Sequence, residues 1–121
     1  MMDAAPSFRL RRAQRITQGR DFQRAKAQGG RAVQGCLILN WRENADAKSP
    51  RLGVITSRKL GGATVRSRAR RLLRESFRLN RHRIERMDVI LVARNSIVGK
   101  TLAGVEADLL AALKKAGLLK Q

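Results

Sequence analysis

Residues 57–83 read SRKLGGATVRSRARRLLRESFRLNRHR, and this stretch places seven arginines between Arg66 and Arg81. At 100° per residue, an apolar face and a cationic face separate on one helix. The apolar sector holds Val65, Ala69, Leu72, Leu73 and Ser76, with Phe77 and Leu79 at its edges. The opposite side holds Arg70, Arg71, Arg74, Arg78 and Arg81, while Arg66 and Arg68 flank the apolar stripe. The spacing therefore predicts one amphipathic helix whose exposed face is almost purely cationic.

The density of like charge on that helix favours an anionic partner. Solvated helix faces usually mix Glu with Lys, whereas only Glu75 offsets the arginines here. Arg70, Arg74 and Arg78 follow one another at i, i+4 spacing, where each unpartnered pair of like charges costs about 0.2–0.5 kcal/mol. A polyanion would turn that repulsion into binding energy, and arginine favours bidentate contacts to phosphate. We therefore interpret the cationic face as a binding surface rather than as an ordinary solvated face.

The segment that enters the helix supports the same interpretation. Arg58 and Lys59 precede Gly61 and Gly62, and glycine permits positive φ and close approach of a ligand to the backbone. Free N–H groups at a helix start attract anions. A double glycine before a helix is also common in an ordinary tight turn, so the glycines alone do not distinguish a phosphate-binding turn from an ordinary one. The surrounding cations favour a phosphate contact.

Composition points to nucleic acid as the polyanion. The chain has 121 residues, a size typical of one domain, and its net charge is +18, from 27 Lys and Arg against nine acidic residues. We find no long apolar segment and no signal peptide, which favours nucleic acid over a membrane and predicts a cytoplasmic protein. A single cysteine, Cys36, excludes an internal disulfide and suits a reducing compartment. We expect Cys36 to be a small core residue in a strand.

The remaining patterns predict an α+β domain over residues 16–121, preceded by a basic, partly disordered arm over residues 1–15. The helices and strands should form a two-layer sandwich with a small mixed sheet, in the order α-β-β-α-β-α, with a further short strand possible. General rules would make the strand-helix-strand crossover through the basic helix right-handed.

Besides the basic helix, the predicted elements are a helix over 20–28, strands over 33–42, 52–57 and 87–93, and a helix over 102–116. We place the strand over 87–93 at the centre of the sheet, buried on both faces. Thr101 should cap the last helix and Gly117 should end it.

The residue types and their spacing predict no catalytic site and no metal site in this chain. His82 is the only histidine and lies in an arginine-rich segment, so we expect it on the surface or against RNA. Glu106 and Asp108 are two residues apart on a helix and therefore do not face each other. No small-molecule site is indicated either. Residue types alone leave two rivals open, a ribosomal or other structural RNA-binding protein and a metal-dependent nuclease.

The basic stretch resembles the protein subunits of bacterial ribonuclease P, whose signature runs from a Ser-Lys/Arg-Lys-x-Gly segment into an Arg-Asn-Arg helix. The matching positions are Ser57, Arg58, Lys59, Gly61, Ala63, Val65, Arg66, Arg68, Arg71, Leu72, Arg74, Glu75 and Phe77. Arg15-Ile16 and Asp21-Phe22 also match the family's N-terminal pattern. The main departure is Ser67, which stands in the asparagine position and loses the reach of the amide.

The resemblance implies a function, a site and a topology. A partner RNA would hold the catalytic Mg²⁺ and remove the 5′ leader of precursor tRNA, while this chain would bind the catalytic RNA and the leader. The implied contacts to the catalytic RNA are Arg58, Lys59, Arg66, Ser67, Arg68, Arg70, Arg71, Arg74 and Arg78. The implied leader cleft holds Arg15, Phe22, Lys26 and Leu39, with fewer aromatic residues than the family uses. Phe22 would equally suit the packing of a helix on the sheet. The resemblance also implies a left-handed crossover through the basic helix, and we follow it there against the general rule.

Overall fold

The computed structural model describes residues 15–16, 29–44 and 49–120. Its regular elements are β1 (Gly30–Gln34), β2 (Leu37–Glu43), β3 (Arg51–Ile55), α1 (Ala63–Asn80), β4 (Met87–Ala93) and α2 (Leu102–Ala116). Single 3-10 turns precede α1, follow α1 and precede α2, at Arg58–Leu60, Arg81–Arg83 and Asn95–Ile97. The predicted arm over residues 1–15 lies outside these residues except for Arg15, and so does the predicted helix over 20–28.

The four strands form one mixed sheet in the order β1-β2-β4-β3. β1 with β2 and β2 with β4 are antiparallel, whereas β3 and β4 are parallel neighbours connected through α1. The predicted α+β architecture and the inner position of β4 are thereby confirmed. The left-handedness of the crossover stays a prediction. A parallel bridge between Arg15 and Leu52 adds the chain around residue 15 to the outer edge of β3.

The predicted single strand over residues 33–42 is wrong, because the structure divides it into the hairpin of β1 and β2. Gly35 adopts a φ of +54°, which favours glycine, and forms the turn with Cys36. Val33 pairs with Ile38, so these two side chains share a face and Leu37 lies on the other. Cys36 is buried as expected, but it lies in this turn rather than in a strand.

Both helices pack on one face of the sheet, and the main core fills the space between them. Leu37 and Leu39 of β2 and Val89 and Leu91 of β4 point into this core. The helices contribute Leu72, Leu73 and Phe77 from α1 and Val105, Leu109 and Leu113 from α2. On the second face of the sheet, Ile16 and Ile90 form a smaller cluster with Ile55 and Val92. β4 is therefore buried on both faces, as its continuous apolar run predicted.

α1 divides into the two predicted faces, with a shift in detail. Its buried residues are Ala69, Leu72, Leu73, Ser76, Phe77 and Asn80. Phe77, expected at the edge of the sector, is fully buried. Arg66 lies on the same side of the helix as Leu73 and Phe77, and its side chain is half-buried. The buried face is thus broader than the sequence pattern indicated.

The last helix matches its prediction at both ends. Thr101 caps α2 by accepting a hydrogen bond from the Gly104 N–H at 3.1 Å, and Gly117 ends it in the left-handed conformation at φ +74°. Beyond α2, Leu119 bridges to Ile84, and the Glu85 N–H donates to the Leu118 carbonyl at 2.8 Å. The chain around residue 119 therefore braces the connection between α1 and β4. In the described part of the chain, neither helix is long and apolar enough to cross a membrane.

Candidate nucleic-acid interface

The turn before α1 presents cations beside an uncapped helix start. Arg58 and Lys59 are exposed in the 3-10 turn, and the buried side chain of Leu60 anchors it to the core. Gly61 has a φ of +150°, and a Cβ there would meet Val65 at 3.0 Å. Gly62 is the N-cap of α1, so no side chain caps the first turn, and no acidic residue lies in that turn. This arrangement suits an anion such as a phosphate.

Along α1, the exposed arginines border a shallow concavity of about 310 Å³. Its lining residues are Ser67, Arg70, Arg71, Arg74 and Glu75. Arg71 and Arg74 are exposed, whereas Arg70 is half-buried. A surface with several guanidinium groups suits the anionic phosphates of an RNA backbone.

Ser67 orients one of these arginines. Arg70 donates from Nη1 to Thr56 Oγ1 at 2.9 Å and from Nη2 to Ser67 Oγ at 3.2 Å. The serine that departs from the family's asparagine therefore acts within the protein, by holding a neighbouring guanidinium in place. A preorganised arginine loses less conformational entropy when it binds phosphate.

Two other residues predicted to contact RNA, Arg78 and Arg68, form polar contacts with groups of the protein itself. Arg78 forms an ion pair with Glu75 at 2.8 Å, so part of its charge is offset on the helix itself. Arg68 donates from Nη2 to the carbonyl oxygen of Lys100 at 2.9 Å, which ties α1 to the loop before α2. By contrast, the Nε of half-buried Arg66 has no hydrogen-bond partner in the described part of the chain.

The Lys100 side chain extends this connection to the hairpin. Lys100 Nζ donates to Asp108 Oδ2 at 3.0 Å, and the Cys36 N–H donates to the same oxygen at 3.0 Å. The hydrogen bond and charge of Asp108 raise the pKa of Lys100. Desolvation would raise the pKa of Asp108, but the hydrogen bonds from Cys36 and Lys100 outweigh it and lower that pKa. Burial, together with Asp108, raises the pKa of the Cys36 thiol to about 12.

A second cationic area lies on the face of the sheet opposite the helices. Arg31 pairs with Asn40 and Arg42 with Asp88, so all four side chains share this face with Ile38. Arg31 is exposed and Arg42 is half-buried. Arg15 is also exposed, but its bridge to Leu52 places it on the side of the sheet that Leu52 shares with the main core, away from this area. Asp88 is fully buried and accepts two hydrogen bonds from Arg51, both at 2.8 Å.

The predicted place of Leu39 in the leader cleft needs correction. Leu39 is 0% exposed and lies in the main core beneath the helices, so it does not border a cleft. Side chains alternate along a strand, and the neighbouring Ile38 and Asn40 face the other way. Arg31 and Arg42 were not among the predicted leader-cleft residues, although the period-two pattern of β2 already placed Arg42 on the face opposite Leu39. Phe22 and Lys26 lie outside the described residues.

The acidic residues that accept hydrogen bonds are engaged with neighbours rather than with one another. Asp88 binds Arg51, Asp108 binds Lys100, and Glu106 accepts a 2.7 Å hydrogen bond from Asn80. The described residues include no group of three or more His, Cys, Asp or Glu side chains that could hold a metal ion. His82 is exposed in the turn after α1, on the surface as predicted.

Comparisons with known proteins agree with the basic-helix signature. The family model described as Ribonuclease P matches residues 10–117. The Ribonuclease P protein component of Clostridium novyi (strain NT) is 35% identical over 111 residues, which cover 90% of this chain and 98% of the relative. The relative from Syntrophomonas wolfei is 36% identical over 105 residues, with coverages of 86% and 87%.

Solved structures show the same architecture. The Staphylococcus aureus RNase P protein superimposes with a TM-score of 0.81 at 29% identity, covering 88% of this chain and 98% of that one. The Thermotoga maritima RNase P protein gives a TM-score of 0.75 at 28% identity, with coverages of 84% and 96%. These matches span nearly the whole domain and exclude the ribosomal alternative. The chain therefore belongs to the family of ribonuclease P protein components, the protein subunits of the ribonucleoprotein that processes tRNA.

Proposed function

We propose that this chain is the RNA-binding cofactor of its ribonuclease P, and that a partner RNA performs the cleavage that frees the 5′ leader of precursor tRNA. The observation that carries the proposal is the concave arginine surface of α1, together with the exposed Arg58 and Lys59 in the turn before the helix. Cations there screen the repulsion between the phosphates of two RNA molecules, the catalytic RNA and its substrate. The chain acts in the cytoplasm, where precursor tRNA is processed.

The second face of the sheet is the proposed contact for the leader. Arg31 and Arg42 supply positive charge there, and half-buried Ile38 and Val92 supply apolar surface. Single-stranded RNA binds such grooves through its backbone charge and through contacts of its bases with apolar side chains. Aromatic platforms are absent from the described strands of this face, so the electrostatic part of the interaction carries more of the leader affinity.

The described residues include no group of three or more His, Cys, Asp or Glu side chains that could hold Mg²⁺. Mg²⁺ requires oxygen ligands in near-octahedral geometry, usually one or two free carboxylates with water and phosphate. Asp88, Asp108 and Glu106 each already accept a hydrogen bond from a protein side chain. We therefore place the Mg²⁺ of the reaction on the partner RNA, and no step of the reaction requires a metal held by this chain.

A reconstitution assay tests the proposal. The purified chain, its cognate ribonuclease P RNA and precursor tRNA are combined, and cleavage and binding are measured with each component omitted in turn. We expect no cleavage by the protein alone, faster cleavage by the complex than by the RNA alone, and tighter binding of precursor than of mature tRNA. Arg31→Gln with Arg42→Gln should reduce the preference for precursor tRNA and leave the affinity for mature tRNA unchanged.

Two results would overturn the proposal. Cleavage of precursor tRNA by RNA-free protein would restore the metal-dependent nuclease as the better explanation. If the complex bound precursor and mature tRNA with equal affinity, the chain would not contact the leader as proposed. Lys114→Gln with Lys115→Gln is the matched control, because it likewise removes two charges, from exposed side chains at the C-terminal end of α2.

A further inference from the structure

Val98 is the exposed large hydrophobic side chain in the described part of the chain, at 52% exposure. It lies in the loop between β4 and α2, against the N-terminal half of α1. With Val65, Ala69, Ile97 and Gly99, it lines a shallow apolar crevice of about 70 Å³. A single exposed valine is common on protein surfaces, but Val98 is continuous with Val65 and Ala69 of the arginine-rich helix and forms an apolar depression with them.

Cations border this crevice on two sides. Arg68 lines the crevice directly. A Cβ at Gly61 would meet Val65 at 3.0 Å, so the turn that carries Arg58 and Lys59 adjoins the same valine. The crevice is therefore an apolar depression within a positively charged surface, which is complementary to a nucleoside whose base is apolar on its faces and whose phosphates are anionic.

Arg68 also holds the loop that forms the far wall of the crevice. Its Nη2 donates to the Lys100 carbonyl at 2.9 Å, and the Lys100 ammonium binds Asp108 of α2 at 3.0 Å. Between Val98 and Lys100, Gly99 has a φ of +85°, which favours glycine. Arg68 thus uses one N–H of its guanidinium to tie the loop that carries Val98 to α1.

We propose that the Val98 crevice contacts an unpaired nucleoside of the partner RNA, and that Arg68 is a positioning residue that holds the crevice in shape. The inference rests on the proposed function and adds an apolar contact to a surface otherwise described by its charge. Unstacked bases of single-stranded RNA segments bind apolar surfaces while neighbouring cations bind their phosphates. A crevice of this size holds one edge of a base or a ribose rather than a whole nucleoside.

The first test changes the apolar wall without changing charge. Val98→Thr replaces one methyl group by a hydroxyl at an exposed position, so the melting temperature should stay unchanged. Affinity for the cognate ribonuclease P RNA should fall about fivefold, the size expected when roughly one buried methyl group is lost. The slope of log affinity against log salt should stay as in the wild type, because no cation is removed.

The second test asks whether Arg68 acts through the loop. In the Arg68→Gln background the loop loses its tether, so Val98→Thr should cost less than about twofold, a non-additive result typical of coupled residues. Arg94→Gln is the matched background, because Arg94 likewise donates from its guanidinium to a backbone carbonyl, that of Gly35, at 2.9 Å. There the cost of Val98→Thr should remain about fivefold, as for independent sites.

Two outcomes would overturn the inference. If Val98→Thr bound the RNA as tightly as the wild type does, the crevice would not be part of the interface. An equal cost of Val98→Thr in the Arg68→Gln and Arg94→Gln backgrounds would show that Arg68 does not position the crevice. Neither outcome affects the proposed function, which fails instead if the wild-type chain shows no salt-dependent binding to the RNA.

Discussion

Asp108 illustrates how one side chain decides the geometry of a distant turn. It lies on α2, yet its Oδ2 accepts hydrogen bonds from the Cys36 backbone and from Lys100. A Cβ at Gly35 would clash with the Asp108 carboxylate, so both the φ of +54° and the contact require glycine at that position. The hairpin that the sequence pattern missed is therefore held by a residue 72 positions along the chain from Cys36.

Cys36 makes this buried corner sensitive to alkaline pH. Its pKa is raised from an ordinary value of 9.0 to about 12, so the folded chain keeps a proton that the unfolded chain releases. The resulting stabilisation is complete below pH 9 and is lost as pH rises towards 12. Between pH 8 and 10, the wild type should therefore lose stability relative to Cys36→Ala, as measured by urea unfolding at each pH. A constant difference across that range would contradict the assignment.

At the scale of the element, α1 performs two separate tasks on its two faces. Leu73 is fully buried and Arg74 is exposed, although the two residues are adjacent. Leu73→Ala should destabilise the domain by about 2–5 kcal/mol, because it removes core contacts and leaves a cavity. Arg74→Ala should leave the melting temperature nearly unchanged and weaken RNA binding. Thermal melts and RNA titrations of both variants measure this division, and the reverse result would mean that the faces are exchanged.

The same cationic face should control the salt dependence of binding. Each phosphate neutralised contributes about 0.7–0.9 to the slope of log affinity against log salt. Replacing Arg70, Arg71 and Arg74 by Gln should therefore lower that slope by about two to three. A triple Gln variant at Arg94, Lys114 and Lys115 has the same net charge and should keep the wild-type slope. Equal slopes for the two triple variants would show that only net charge matters.

At the scale of the whole molecule, a charge of +18 makes the chain a polycation with a structured surface. Screening by cationic side chains replaces part of the screening that divalent ions otherwise supply. Arg71→Gln with Arg74→Gln should therefore raise the Mg²⁺ concentration for half-maximal cleavage by the reconstituted complex. The cleavage rate at saturating Mg²⁺ and saturating protein should remain near that of the wild type.

Single-turnover kinetics across a Mg²⁺ titration measure both quantities. If the double variant abolished cleavage at saturating Mg²⁺ and saturating protein, the two arginines would belong to the reaction itself. That result would replace the cofactor role by a catalytic one for this chain.

The sequence by itself determined the family, the class of fold and the helix that carries the cationic face proposed to bind RNA. Those features follow from local patterns, namely the helical period of residues 63–80, the continuous apolar run of Met87–Ala93 and the caps at Thr101 and Gly117. The tertiary structure decided the hairpin turn at Gly35, the burial of Leu39 and the partners of Ser67, Arg68 and Arg78. These depend on register and on contacts between elements: Arg68 meets Lys100 only because α1 lies against the loop before α2. The two-residue turn shifts the alternation by one residue, so Val33 shares a face with Ile38 rather than with Leu37, and only the pairing of β1 with β2 reveals this reversal.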